Sequence, residues 1–274
     1  MGIRRRFKKN KIGVIAIHGA IRGGRQTAEI IHYLRIFREN PKIKSVILNV
    51  DSPGGLVTAS DNLYMATSRL SETKPTIAYI SGTGASGAYL LACAATKIVA
   101  LPGSAIGSIG VLSEKFLIYE FLDRRGIRLN TAKSGHLKDM GSMFRDPTEE
   151  EETKEQELLD SFHTYFIQAV AKGRHLEESR VRELATGEVF LGQQGKPLGL
   201  VDELGDFETA LDIASDLGNV PRTRVVYATR RRTFLQRAFS RFGSSIADQL
   251  ISEAQYAMER HFYFMDTPDR WRRF

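Results

Sequence analysis

The sequence predicts an α/β fold built on a parallel sheet. Short apolar runs alternate with segments of helical apolar spacing, and loops of small residues follow two of the apolar runs. The chain has 274 residues, of which 42% are hydrophobic, enough to bury a full core. This alternation favours right-handed connections between parallel strands. The predicted strands are 12–17, 45–50, 76–80 and 97–100, and the predicted helices are 26–39, 56–71 and 86–95.

The later elements are predicted from the same patterns. Helical spacing indicates a helix over 116–125, and the apolar run 127–129 indicates a further strand. Loop 133–147 follows and contains several large apolar residues, so we interpret it as an edge of a substrate site. Thr148 is placed to cap a helix that starts with four glutamates and runs to about Lys172, because acidic side chains stabilise a helix N-terminus.

One face of this long helix is apolar. We predict that it packs into the core, and the alternative is a subunit interface. The residues of this face are Leu158, Leu159, Phe162, Phe166 and Val170.

Charge and composition suggest three segments. The net charge is +7 and the pI near 9.5, and much of the excess positive charge lies near the two ends. We predict a basic N-terminal segment 1–11, a main domain 12–229 and a basic, aromatic, helical extension 230–274. A basic face beside an aromatic one is typical of peripheral membrane contact. The alternatives for this extension are a helix packed on a neighbouring subunit and a basic tail that reaches toward an active site. Nucleic-acid binding is disfavoured, because no recognised nucleic-acid fold accompanies the charge.

The segment around Ser86 is typical of a nucleophile site. The residues Gly82 to Tyr89 are small apart from the last, and they lie between a predicted strand and a predicted helix. A serine at such a turn is accessible to a substrate, and the helix N-terminus stabilises a nearby oxyanion. A plain glycine-rich turn would give the same pattern, so Ser86 needs support from elsewhere in the chain.

A second loop offers amide donors. The stretch from Asp51 to Gly55 follows the predicted strand 45–50 and ends in Pro-Gly-Gly. Glycines after a strand can turn their N–H groups outward, so Gly54 and Gly55 are candidate oxyanion donors.

A nucleophilic serine needs a base. Of the six histidines only His136 lies in a segment that resembles a site, and a Ser-His triad is the less favoured choice. The same stretch contains Lys133 and Lys138 as alternative bases. A lysine acts as a base near neutral pH only if burial or nearby cations lower its pKa by about 3 units.

Four motifs in order resemble the short form of the SppA-type signal peptide peptidases. They are Asp-Ser-Pro-Gly-Gly at 51–55, Ala-Ser-Gly-Ala-Tyr at 85–89, Gly-Ser-Ile-Gly-Val at 107–111 and Lys-Ser-Gly-X-X-Lys-Asp at 133–139. The similarity extends from about Ile12 to about Asp216. Members of that family are Ser/Lys-dyad proteases of the ClpP/crotonase superfamily, so the resemblance implies repeated ββα units with parallel sheets.

The resemblance also implies residue roles. Ser86 is the nucleophile and Lys138, rather than Lys133, is the general base. Ser108 positions the lysine amine. Gly55 or Gly54 forms the oxyanion hole together with the Gly87 amide. Lys133 and His136 have no counterpart in the family's catalytic set and are interpreted as solvated loop residues.

The expected reaction is hydrolysis of extended hydrophobic peptides, such as remnant signal peptides or membrane-protein segments, through an acyl-enzyme. It requires no metal or cofactor. In short family members protomers form rings and the lysine reaches a neighbour's serine, so we expect a homo-oligomer here. Such members commonly begin with a membrane anchor. We find neither a transmembrane helix nor a cleavable signal peptide and expect a cytoplasmic or peripheral membrane location.

Two other functions remain open. A crotonase-type acyl-CoA enzyme would use the same scaffold and paired amides, but with carboxylate bases and no use for Ser86. A non-catalytic membrane-complex scaffold would need neither Ser86 nor Lys138. Cys93 is the only cysteine and lies in an apolar run, so we predict a buried structural thiol rather than a nucleophile.

Overall fold

The computed structural model describes residues 10–228, which belong to one compact unit that ends at Ala228. Its strands are β1 Lys11–His18, β2 Ile43–Ser52, β3 Thr76–Ala85, β4 Lys97–Ala100, β5 Ala105–Gly107, β6 Val189–Leu191, β7 Glu203–Leu204 and β8 Val225–Tyr227. Its helices are α1 Arg25–Glu39, α2 Val57–Ser71, α3 Gly87–Ala92, α4 Tyr119–Asp123, α5 Glu149–Arg174, α6 Glu178–Leu184, α7 Gly192–Gly195 and α8 Phe207–Gly218.

These strands form one sheet in the order β6-β5-β3-β2-β1-β8, with β4 and β7 branching from β3. Each described pairing is parallel except that of β5 with β6. Helices follow β1, β2 and β3 as the alternating pattern predicts. The predicted α/β fold built on a parallel sheet is confirmed.

Strand β3 is longer than predicted and changes partner along its length. Its first half, Ile77 to Ile80, pairs with β4, and its last residues, Thr83 to Ala85, pair with β5. Glycines and other small residues in the second half suggested a turn, but small residues also allow a strand to be approached closely by its neighbours. As a result, Ser86, which follows β3, lies directly beside the end of β5.

The core lies on both faces of the sheet. On one face the side chains of β1 to β3 pack against α1, α2, α3 and the second half of α5. On the other face Ile12, Ile47 and Val99 pack against α8. Burial on both faces explains why the central strands read as nearly continuous apolar runs rather than as an alternating pattern.

A buried ion pair fixes the end of α5 to the loop before β7. Arg174 lies 2.8 Å from Asp202 and also donates to the Gly199 carbonyl at 2.9 Å. Asp202 in turn accepts the Ile98 backbone N–H at 2.7 Å, which ties this corner to β4. The motif from Gly199 to Gly205 therefore has a structural role.

Two predicted elements differ from the structure. The helix predicted over 116–125 is limited to α4, Tyr119–Asp123. The strand predicted over 127–129 was wrong, because Ile127 and Leu129 are exposed and no described strand runs beside them. An apolar run becomes a strand only where a neighbour completes its hydrogen bonds.

The terminal segments predicted from charge, 1–11 and 230–274, lie outside the described residues apart from residues 10 and 11. Among the described helices, none is both long and apolar enough to cross a membrane.

Candidate active site

Ser86 occupies a sharp junction between β3 and α3. Its φ of 50° and ψ of −127° lie outside the regions that a serine ordinarily adopts, and its N–H donates to the Gly107 carbonyl at 2.8 Å. Such a backbone costs energy and persists only where the surroundings enforce it, which is common at functional sites. The side chain is half-buried and lines a cavity, as the predicted nucleophile requires.

The Pro-Gly-Gly loop packs directly against this junction. Gly54 has a φ of 93°, and a Cβ atom on it would lie only 2.7 Å from the Gly87 nitrogen. Ile21 holds the loop in place, because its N–H donates to the Gly54 carbonyl at 2.7 Å and its carbonyl accepts the Leu56 N–H at 2.9 Å. The structure therefore requires glycine at position 54 for close backbone contact.

The two glycines of this loop differ in the use of their amides. The Gly54 N–H donates to the buried Ser52 hydroxyl at 3.2 Å. Within residues 10–228, neither the Gly55 N–H nor the Gly87 N–H has an acceptor. Gly55 and Gly87 also both line the cavity. Of the two glycines predicted as alternatives, Gly55 is thus the one whose N–H remains available.

The cavity beside Ser86 has a volume of about 700 Å³. Its walls come from the Pro-Gly-Gly loop and α2 on one side, the segment after β5 on another, and α5 on a third. The apolar side chains that line it are Pro53, Val57, Leu90, Val111, Leu112, Leu159, Phe162, Phe166 and Ala185. Its polar side chains are Ser60, Asp61, Ser86, Ser108, Gln156, Asp160, His163, Tyr165 and Thr186. A concave pocket of this size is typical of a ligand site.

Ser108 lines the same cavity as Ser86. It follows β5, has a φ of 49°, and donates its N–H to the Glu188 carbonyl at 2.8 Å. Since β5 pairs with the end of β3, the two serines lie at the same edge of the sheet. The structure thus brings together Ser86, Ser108, Gly55 and Gly87, as the sequence motifs predict.

Lys138 is placed differently. It is exposed on the loop between β5 and α5 and is absent from the cavity walls. Its side chain forms no hydrogen bond or ion pair with any described residue. Within one chain, the structure does not bring the predicted base to the predicted nucleophile, so its role stays a prediction.

The rival bases are occupied by local contacts. The Lys133 amine lies 2.6 Å from an Asp139 oxygen and donates to the His136 carbonyl at 2.9 Å. His136 is exposed, and its Nε2 lies 3.2 Å from Glu150. Neither Lys133 nor His136 lines the cavity.

Sequence reasoning missed the contribution of α2 and α5 to the cavity. Ser60 lines the cavity although it is only 2% exposed, and its buried hydroxyl has no hydrogen-bond partner within residues 10–228. His163 lines it too, and its buried Nε2 has no partner in the same part of the chain. Helical spacing on α5 from Gln156 through Leu159 to His163 was the available signal, but it resembles an ordinary amphipathic face.

The apolar face predicted for α5 divides into two parts. Phe166 and Val170 are buried in the core as predicted, and Phe166 also borders the cavity. Leu159 and Phe162 line the cavity and are only partly buried, and Leu158 is exposed, so core packing was wrong for this half of the face. No side chain of α5 between Glu151 and Phe166 is buried, so this part of the helix lies outside the core.

Two carboxylates, Asp61 and Asp160, also line the cavity. The acyl-CoA alternative predicts such groups. Asp61 accepts a hydrogen bond from the Tyr165 hydroxyl at 2.5 Å, and burial together with this bond raises the pKa of Tyr165. Asp61 therefore has a structural partner within the cavity wall.

Cys93 is a buried free thiol, as predicted. Burial raises the pKa of its thiol to about 12, which keeps it protonated and unreactive at neutral pH.

Comparison with known proteins agrees with the fold and the motifs. The model of peptidase family S49 matches residues 68–221, and the model of Clp protease matches residues 5–107. A putative protease from Synechocystis is 35% identical over 217 residues, which cover 79% of this chain and 78% of that protein. A putative protease from Methanocaldococcus jannaschii is 37% identical, over 72% of this chain and 63% of that protein. The putative signal peptide peptidase SppA of Enterococcus faecium is 36% identical, over 65% of this chain and 52% of that protein.

Among solved structures, two mutants of the 1510-N membrane-bound stomatin-specific protease share the fold. One matches with a TM-score of 0.53 and 17% identity over 81% of this chain and 99% of the other. The second, in complex with a substrate peptide, matches with a TM-score of 0.52 and 18% identity over 85% of this chain and 97% of the other. The family match covers more than half of the chain and includes Ser86, Ser108 and Lys138. The chain therefore belongs to peptidase family S49, the serine proteases of the SppA type.

Proposed function

We propose that this chain is a serine endopeptidase in which Ser86 attacks the peptide carbonyl and Lys138 is the general base. The observation that supports it best is the junction at Ser86, where a strained serine lies beside two amides, Gly55 and Gly87, that have no acceptor in the described part of the chain. Amides fixed in advance around a developing negative charge are the largest single contribution in many acyl-transfer enzymes.

The reaction then proceeds in two halves. Neutral Lys138 accepts the Ser86 hydroxyl proton while the oxygen bonds to the carbonyl carbon, and the amides of Gly55 and Gly87 stabilise the oxyanion. The lysine ammonium returns its proton to the leaving amine as the peptide bond breaks. Water, deprotonated by the same lysine, attacks the acyl-enzyme carbonyl. The ester bond to Ser86 then breaks as the lysine ammonium returns the proton to the serine oxygen, which releases the second product and restores the enzyme. Ser108, at the edge of the cavity, would hold the lysine amine in place.

We propose further that Lys138 acts in a neighbouring protomer of a ring. This accounts for an exposed lysine that does not line the Ser86 cavity of its own chain. Exposed large apolar side chains support an interface, since Leu112, which lines the cavity, is 74% exposed, and Phe116, four residues further along the chain, is 83% exposed.

The proposed substrates are extended hydrophobic peptides, such as remnant signal peptides or membrane-protein segments. The apolar cavity walls support this class, and one relative is named as a putative signal peptide peptidase. A peptide in extended form presents its carbonyl to the amides of Gly55 and Gly87 and places a side chain in the cavity.

The serine is tested with a fluorophosphonate probe on the full chain. We expect covalent labelling at Ser86 and no labelling in Ser86→Ala. Hydrolysis of a fluorogenic hydrophobic peptide should fall by at least a thousandfold in Ser86→Ala and in Lys138→Met. Labelling elsewhere, with hydrolysis retained in Ser86→Ala, would contradict the proposal and favour the acyl-CoA or scaffold alternatives.

A further inference from the structure

The loop between β5 and α5, residues 108–148, contains the proposed base. Most of its residues from 112 onward are exposed, and α4 is its only described regular element. Apolar packing therefore does little to fix its conformation. Polar contacts must set the position of Lys138 instead, and they converge on Arg145.

Arg145 joins two carboxylates. Its guanidinium makes a paired contact with Glu151 at 2.7 and 2.5 Å, and it also contacts Asp139 at 3.1 and 3.0 Å. Such forked pairing fixes both distance and orientation. Asp139 follows Lys138 in the chain, so this contact restrains the backbone next to the proposed base.

Glu151 is a rigid anchor for the arginine. It lies in the first turn of α5 and is only 2% exposed, although it is a carboxylate. It accepts the Thr148 N–H at 2.9 Å, while its own N–H donates to the Thr148 hydroxyl at 3.3 Å. This reciprocal capping holds the carboxylate in place independently of Arg145.

Contacts on the other side of Lys138 complete the arrangement. The Lys133 amine pairs with Asp139 at 2.6 Å and donates to the His136 carbonyl at 2.9 Å. The Lys138 N–H donates to the Gly135 carbonyl at 3.1 Å. The backbone on both sides of Lys138 is therefore tied, whereas its amine has no partner in the described part of the chain.

Helix α5 connects this arrangement to the cavity. The helix anchors Arg145 through Glu151 at its first turn and lines the cavity with Gln156 and Asp160 about one and a half and two and a half turns later. Another ion pair on the same helix differs in this respect. Lys154 and Glu157 are exposed, lie at i,i+3 spacing, and connect α5 to no other element. The contacts of Arg145 instead link the lysine loop to a cavity wall.

We propose that Arg145, held between Asp139 and Glu151, is a positioning residue that fixes where Lys138 presents its amine. This inference rests on the proposed function of Lys138. Removal of the arginine leaves Asp139 tied only to Lys133 and leaves the buried Glu151 without its cationic partner. The loop then samples positions in which the lysine misses the serine, and a displacement of about 1 Å can cost a hundredfold in rate.

The test compares Arg145→Gln, Arg145→Lys and wild type in hydrolysis of a fluorogenic hydrophobic peptide. We expect kcat to fall about tenfold to a hundredfold in Arg145→Gln with KM changed less than threefold, because the peptide-binding groups are untouched. Arg145→Lys keeps the charge but not the fork and should recover part of kcat. Arg180→Gln is the matched control, since it removes an exposed arginine that pairs with Glu183 on α6, and it should match wild type.

Asp139→Asn provides a second measurement that spares the pairing of Arg145 with Glu151 and the helix cap. Like Arg145→Gln, it should lower kcat, while circular dichroism shows an unchanged fold. The inference is overturned if Arg145→Gln folds and keeps the kcat of the wild type while Lys138→Met is inactive. If Arg145→Gln does not fold, the same conclusion follows from a folded Asp139→Asn that keeps the kcat of the wild type. Wild-type activity in Lys138→Met would instead overturn the proposed base, so the two failures are distinguishable.

Discussion

At the scale of single residues, Gly54 is a position where the backbone of the site leaves no room for a side chain. A Cβ atom there would lie 2.7 Å from the Gly87 nitrogen and 2.8 Å from the Ala85 carbonyl oxygen, both of them backbone atoms that cannot rotate away. Its φ of 93° adds a cost for any other residue.

We therefore expect Gly54→Ala to lower the free energy of unfolding by about 2 kcal/mol or more. Fluorophosphonate labelling should fall at least tenfold, because the neighbouring Gly55 amide moves with the loop. Gly103→Ala is the control, since nothing lies within 4 Å of a Cβ atom at that position. Thermal unfolding and labelling rates measure both effects, and wild-type behaviour of Gly54→Ala would contradict the packing described above.

Ser60 shows the opposite situation, a buried hydroxyl without a partner in the described residues. Ser60→Ala should leave the free energy of unfolding unchanged or raise it by about 1 kcal/mol, because no hydrogen bond is lost. Ser45→Ala is the matched comparison: this buried serine donates to the Ala214 carbonyl at 2.7 Å, and its loss should cost about 1–3 kcal/mol. Denaturant unfolding separates the two, and equal destabilisation would show that the Ser60 hydroxyl is bonded after all.

At the scale of elements, the start of α5 and the lysine loop form a unit that responds to acid. Arg145 and the Thr148 N–H lower the pKa of Glu151 to about 2, and Arg145 with Lys133 holds the pKa of Asp139 well below its usual range. Nearby, His136 pairs with Glu150, and Lys115 with Glu155. A carboxylate whose folded pKa is lowered stabilises the fold above its unfolded pKa and loses that effect as the pH falls.

Glu151 therefore loses its stabilising effect on the fold as the pH falls from about 4.5 to about 2. The melting temperature of the wild type should consequently fall more steeply between pH 5 and about pH 3 than that of Glu151→Gln, which has no charge to lose. Glu150→Gln, which changes an exposed neighbour, serves as control and should follow the wild type. Parallel curves for Glu151→Gln and wild type would show that the ion pairs do not stabilise this unit.

The elements differ in how far the sequence predicts them. The strands from Ile12, Ser45, Thr76 and Lys97 and the serine junction could be predicted, because burial on both faces and small residues at strand ends leave a local signal. The extension of β3 to Ala85 and the absence of a strand at Ile127 depend on whether a partner strand is present, which is a long-range fact. The cavity wall on α5 was missed for a similar reason, since Phe162 and Phe166 lie on one helical face and both line the cavity, but only Phe166 is also buried in the core.

At the scale of the whole molecule, the separation of Lys138 from the Ser86 cavity makes a strong prediction about assembly. If each site takes its serine from one protomer and its lysine from the next, two inactive variants should complement each other. In a ring with head-to-tail interfaces, an equal mixture of Ser86→Ala and Lys138→Met chains would place an intact serine beside an intact lysine at about a quarter of the sites.

We expect the mixture, after exchange of subunits, to recover about a quarter of wild-type hydrolysis, and the recovery to vanish on dilution to monomer. The separate variants, each carried through the same exchange, provide the background. Native mass spectrometry with one variant isotopically labelled must show assemblies of wild-type size that contain both variants, so that failure to mix is not mistaken for failure to complement. Inactivity of such mixed assemblies would mean that Lys138 reaches Ser86 within its own chain, which requires the loop tied by Arg145 to move toward the cavity.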